Sequence, residues 1–163
     1  MIETDPTAKI SPLADIEPSS RGTRYIIGPR VMIDAFVKIK PAGGSGNVVI
    51  GADSYINSGC VLYSGNGITI AENVLIAANC TLAATNHSFQ KLDLPIRMQG
   101  FQKSRGGIVI EQDVWIGANC VLLDGAHVGA GAVIAAGSIV RGRVEPNTIN
   151  AGSPLQCIGQ RGS

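Results

Sequence analysis

Residues 110–140 read "IEQDVWIGANCVLLDGAHVGAGAVIAAGSIV". Cut into sixes from Ile110, the stretch becomes IEQDVW, IGANCV, LLDGAH, VGAGAV and IAAGSI, each opening on Ile, Leu or Val. The fourth place holds Asp, Asn or Gly, and the fifth holds Val, Cys, Ala or Ser. The same phase runs upstream through IGADSY, INSGCV and LYSGNG (50–67) and through IAENVL, IAANCT and LAATNH (70–87). It loosens toward Ile39, Ile33 and Ile27 and closes with VRGRVE at 140–145. A step of six is neither the helical period nor a long strand, but places five and one are two apart and share one face of a short strand. Places six and two then point outward. Asn, Asp or Gly at place four suits a bend whose backbone must enter the left-handed region. Strand and bend repeated three times per coil make a triangular prism, so the expected fold is all-β: a left-handed parallel β-helix, outside the usual right-handed crossover rule. The fixed step argues against a β-sandwich, whose strands recur about every 8–12 residues.

Composition agrees with a narrow aliphatic interior. Hydrophobic residues make up 45% of the 163, aromatics only 4%, and there are 21 glycines. Length fits one β-helix domain over 1–163, with looser N-terminal coils over about 1–26 and a short tail over about 155–163. A net charge of +1 without a Lys/Arg run excludes nucleic acid and anionic membrane surfaces as main partners. No apolar run reaches spanning length, and the opening "MIETDPTAKISPLAD" lacks a secretory pattern, so the expected location is cytoplasmic. Four cysteines without CxxC spacing suggest neither zinc nor disulfides. Cys60, Cys80 and Cys120 share place five of the second hexads and are expected to stack inside as apolar filler, while Cys157 falls in the tail.

The phase breaks once, over about 88–109, immediately after His87. A long insertion in so regular a scaffold is usually functional, and Phe89, Leu92, Leu94, Ile96 and Phe101 argue against simple disorder. Two other outward positions stand out. Trp115 is the sole tryptophan, and Asn57 lies on the same prism side two coils earlier, roughly 10 Å along the axis. His87 belongs to a different side. One subunit cannot easily bring the three together, whereas neighbours around a threefold axis could, and an exposed Trp suits such an interface. His127 repeats the place of His87 and could lie beside it if the insertion returns in register; otherwise it is an incidental surface residue.

These stretches, together with "LPIRMQG" and "NAGSP", resemble the hexapeptide-repeat acyltransferases over about 27–157, above all the galactoside, maltose and nodulation-factor O-acetyltransferases and their O-antigen and capsule relatives. The loop at Pro95 to Gly100 is similar to that of the polysaccharide-modifying members. The resemblance implies a homotrimer that moves acetyl from acetyl-CoA to a sugar hydroxyl, with sites between subunits and no metal. It implies His87 as general base, Asn57 and Trp115 as acceptor-binding residues, and backbone at Ala118 and Ala136 along the CoA groove. Ala118 and Ala136 occupy place three of consecutive second hexads, so the register stacks them on one corner. An imidazole suits proton removal from a poor hydroxyl nucleophile, and a backbone N–H, with Ala118 the candidate, suits the developing oxyanion. Two departures stand out. Ser64 and Gly65 fall where the galactoside and maltose enzymes often carry acids, and "VRGR" replaces the usual "VTKD", so Arg141 or Arg143 would meet the CoA phosphates.

Alternatives are an N-acetyltransferase acting on an amino sugar and a non-catalytic β-helix scaffold. A γ-carbonic anhydrase needs three histidine ligands, and the chain has two histidines. A serine acetyltransferase is disfavoured because no helical domain precedes the coils.

Overall fold

The computed structural model describes residues 1–162. The chain winds as a left-handed parallel β-helix whose short strands stack into three sheets. The first holds Ile2–Thr4, Tyr25–Ile27, Val48–Ile50, Ile68–Ile70, Ile108–Ile110, His127–Val128 and Arg143–Val144. The second runs from Lys9–Ile10 through Met32–Ile33, Tyr55–Ile56, Leu75–Ile76, Trp115–Ile116 and Val133–Ile134 to Thr148–Ala151. The third contains Asp15–Ile16, Lys38–Lys40, Val61–Tyr63, Thr81–Ala83, Val121–Leu123 and Ile139–Val140. Every ladder is parallel except the last, where Gln156–Gln160 folds back antiparallel on Thr148–Ala151.

The hexad places predict the burial. Place one (Ile50, Ile56, Leu62, Ile70, Ile76, Leu82, Ile110, Ile116, Leu122, Val128, Ile134, Val140) is buried in each coil. Place five fills the gaps between these side chains with Val74, Val114, Ala126, Ala132 and small polar Ser54 and Ser138. Place four carries the bends: φ is 59° at Asp53, 58° at Asn73, 60° at Asn79 and 58° at Asn119, with glycines taking over at 125, 131 and 137. An L-residue with a longer side chain would lose roughly 1–2 kcal/mol at such a site.

Cys60, Cys80 and Cys120 form a buried column, all free thiols. Each donates upward to a bend carbonyl: Cys60 Sγ to Ala77 O at 3.2 Å, Cys80 to Gly117 O at 3.1 Å and Cys120 to Ala135 O at 3.2 Å. Contact with Cys80, then burial, pushes the Cys120 thiol up, and all three thiols are fully buried, which suits packing groups. Among the described residues the one aromatic ring in the core, Tyr25, sits near the N-terminal end, where its hydroxyl donates to Glu17 O at 2.7 Å.

The insertion is bounded differently from the sequence reading. Ile108 and Val109 already pair with Ile68 and Thr69, and Ala84 is still buried in the prism, so the excursion covers 85–107. The hexad phase skipped Ile68 and Thr69, because the coil starting at Ile50 carries two residues beyond three hexads. The same register separates the histidines. The residue beside His127 in the preceding coil is Val109, not His87.

Candidate functional site

His87 stands just beyond the third-sheet strand Thr81–Ala83, where the chain leaves the prism. The excursion turns through one short helical turn, Ile96–Met98, and returns past its own exit. There Phe101 forms an antiparallel bridge with His87. Ser88 N–H donates to Gly100 O at 2.9 Å, and Gln102 N–H donates to Asn86 O at 2.8 Å. The turn is closed by the Gln99 side chain, which accepts from Lys91 N–H at 3.0 Å and donates to Lys91 O and Leu94 O, both at 2.8 Å.

The return leg is pinned by a residue that the sequence reading missed. Asp124 is 2% exposed, and its carboxylate accepts from Gly107 N–H and Arg105 N–H, both at 2.9 Å. The signal was in the repeat: Asp124 stands in the column of Ser64 and Ala84, and only there is that buried place charged. Buried carboxylates need such donors. Between exit and return opens a cleft of about 430 Å³ lined by Asn86, His87, Phe89, Gln102, Arg105, Leu123, Asp124 and Arg141.

A second groove, about 480 Å³, lies between Arg141 to Arg143 and Ser153 to Leu155. Arg141 lines both and has no acidic partner among the described residues, whereas Arg143 is tied to Glu145 at 3.2 Å. Ala118 and Ala136 stack on one corner, as the register requires: Gly137 N–H donates to Ala118 O at 2.8 Å. Among the described residues neither the Ala118 nor the Ala136 amide N–H has an acceptor.

Asn57 and Trp115 belong to the second sheet. Tyr55, Leu75, Trp115 and Val133 form one outward ladder in register, and Trp115 is 50% exposed. Asn57 follows Ile56, and its Nδ2 donates to Ile76 O at 2.9 Å. The shallow groove around Trp115 includes Asn73, Leu75, Asp113 and Arg161, and shares no residue with the His87 cleft. One chain thus brings His87 and Arg141 together and keeps Asn57 and Trp115 on another face.

His127 is half-buried and paired with a carboxylate. Its Nε2 lies 2.7 Å from Glu111 Oε1, and Glu111 Oε2 accepts from Ala130 N–H at 2.9 Å. The His127 bond, then the Ala130 amide, holds the Glu111 carboxyl below its ordinary 4.5. No group of three or more His, Cys, Asp or Glu is placed to hold a metal among the described residues. No helix among them is long and apolar enough to cross a membrane.

Residues 107–142 match the family described as "Bacterial transferase hexapeptide (six repeats)". A hexapeptide-repeat acetyltransferase of Vibrio cholerae O1 biovar eltor, solved with acetyl coenzyme A, superposes with a TM-score of 0.73 at 30% identity, over 84% of this chain and 71% of that one. The chain belongs to the hexapeptide-repeat acyltransferase family. It is 38% identical over 113 residues to the galactoside O-acetyltransferase of Escherichia coli (strain K12), a match covering 69% of this chain and 53% of that enzyme. The chain therefore spans about half the length of that relative. An N-acyltransferase from Bacillus cereus, solved with dTDP-4-amino-4,6-dideoxyglucose and coenzyme A, shares the fold with a TM-score of 0.82 at 24% identity, over 99% of this chain and 84% of that one.

Proposed function

We propose that this protein transfers an acetyl group from acetyl-CoA to a hydroxyl of a sugar, within surface polysaccharide or O-antigen modification in the cytoplasm, as a homotrimer with its sites between subunits. The observation that carries the reading is the position of His87: an exposed imidazole with no hydrogen-bond partner among the described residues, at the mouth of a cleft joined through Arg141 to a second groove. The unpaired Ala118 and Ala136 amides and the unpaired Arg141 suit a pantetheine chain and a phosphate, in that order. In the trimer, one subunit's His87 would face the Asn57 and Trp115 of its neighbour.

The chemistry balances without a covalent enzyme intermediate. His87 takes the hydroxyl proton as the acceptor oxygen bonds to the acetyl carbon, a step in which a positioned base contributes roughly 10²–10⁴-fold. The Ala118 N–H donates to the oxyanion that forms. The carbon–sulfur bond then breaks, and the imidazolium returns its proton to the departing sulfur, leaving an acetyl ester and free CoA thiol. The buried Cys60, Cys80 and Cys120 take no part.

Thiol release from acetyl-CoA, followed across sugars, amino sugars and glycan fragments, tests this directly. Replacing His87 by Ala is expected to lower turnover at least about a hundredfold while sedimentation still reports a trimer. Unchanged turnover removes His87 from the mechanism, and turnover on an amino sugar but not on its hydroxyl analogue makes the protein an N-acetyltransferase.

A further inference from the structure

A general-base histidine needs its ring fixed, and the usual device is a hydrogen bond from the second ring nitrogen to a carboxylate or a carbonyl. The two histidines of this chain differ in that respect. His127 is held by Glu111 at 2.7 Å. His87 has no hydrogen-bonding partner for its ring among the described residues, yet it is the histidine that faces a cleft. What touches it is an aromatic ring: the centroids of His87 and Phe101 lie 4.6 Å apart with their planes tilted by 36°.

We propose that Phe101 is the positioning residue of His87, its ring taking the orienting role that a carboxylate fills elsewhere; this rests on the reading of His87 as the base. Three features place Phe101, which is 45% exposed and whose ring lies against His87. The bridge to His87, with the Ser88–Gly100 and Gln102–Asn86 bonds on either side, sets its backbone directly opposite the histidine. The Gln99 clasp closes the turn that delivers it there. Behind it lies Gly43, in a bend of the earlier coil with φ of 80°, where a side-chain carbon would come within 3.0 Å of the Phe101 Cε1 and 2.6 Å of Thr85 Oγ1. A side chain at Gly43 would crowd Thr85 first and the edge of the Phe101 ring second. Covering one imidazole face leaves both ring nitrogens, on the edge, free to exchange a proton with the acceptor. The aromatic face also favours the cation that His87 becomes once it has taken that proton.

The test uses the intact protein and two readouts. In proton spectra, the two histidines are separated by comparison with His87→Ala, and the His87 ring protons are expected to be displaced upfield by the Phe101 ring current. Phe101→Leu, which keeps apolar bulk, is expected to abolish that displacement and to lower kcat by about tenfold to a hundredfold with the KM for acetyl-CoA unchanged. Phe101→Tyr is expected to restore both. Wild-type kcat in Phe101→Leu, with His87→Ala inactive, overturns the positioning role, as do undisplaced His87 protons in the native protein. Full turnover by His87→Ala overturns the base reading itself, while the ring-current displacement would still report the contact.

Discussion

The coils and the 85–107 excursion are held together by opposite means. In the coils, aliphatic side chains stack in continuous buried columns, and each strand hands its backbone hydrogen bonds to the coil above and below. In the excursion the apolar side chains face outward: Leu92 is 101% exposed, and Phe89, Ile96 and Met98 are exposed as well. Its path is set by a few polar groups that bond to backbone, chiefly the Gln99 amide and the Asp124 carboxylate. The coils gain from burial, which is cooperative and insensitive to detail at the surface. The excursion gains little from burial and depends on particular side chains at particular distances, which is the condition for placing a reactive group accurately.

Core truncation gives the sharpest contrast. Ile76→Ala removes a fully buried side chain between two coils and is expected to cost about 2–5 kcal/mol, read as a lowered urea midpoint. Leu92→Ala in the excursion is expected to change stability by no more than about 0.5 kcal/mol. Equal losses would mean that the excursion is packed in solution. The next effect is at the bends. Asn79, with φ of 60°, is expected to cost about 1 kcal/mol on replacement by Ala and less on replacement by Gly, since only glycine enters that region freely.

The smallest effect is the pH dependence of the Glu111–His127 pair. Because the folded protein holds the Glu111 carboxyl below its ordinary 4.5, the stabilisation is fully present above 4.5 and is lost as pH falls through the lowered value. Glu111→Gln should therefore narrow its stability gap to wild type in that acid window. Both side chains are about one-third exposed and Arg143 adds only a weak attraction, so the gap is small and shrinks further in salt. A gap that does not change with pH would mean that the pair is not formed in solution.

The columns were legible because each follows from a residue's place in the six. Ile76 and Cys80 had to be inside, Asn79 had to bend, and Asn57 had to share a side with Trp115. The start of Ile108–Ile110 was misplaced by two residues, since a coil with two extra residues breaks the count without breaking the ladder. Asp124 could be flagged as the charged residue in its buried column, but Phe101 against His87 and Glu111 under His127 were not legible. Each is a single contact between residues far apart in the chain, and no periodicity announces such a contact.

By itself, then, the sequence determined the prism, its inward and outward faces and the site of its interruption, because a repeated pattern of apolar and bend-forming residues admits one economical way to hide the apolar ones. The tertiary structure alone decided where the interruption goes and what it holds against His87. That path follows from a handful of side-chain-to-backbone bonds and one ring set against His87, interactions that depend on distance in space, so the order of residues shows at most one end of them.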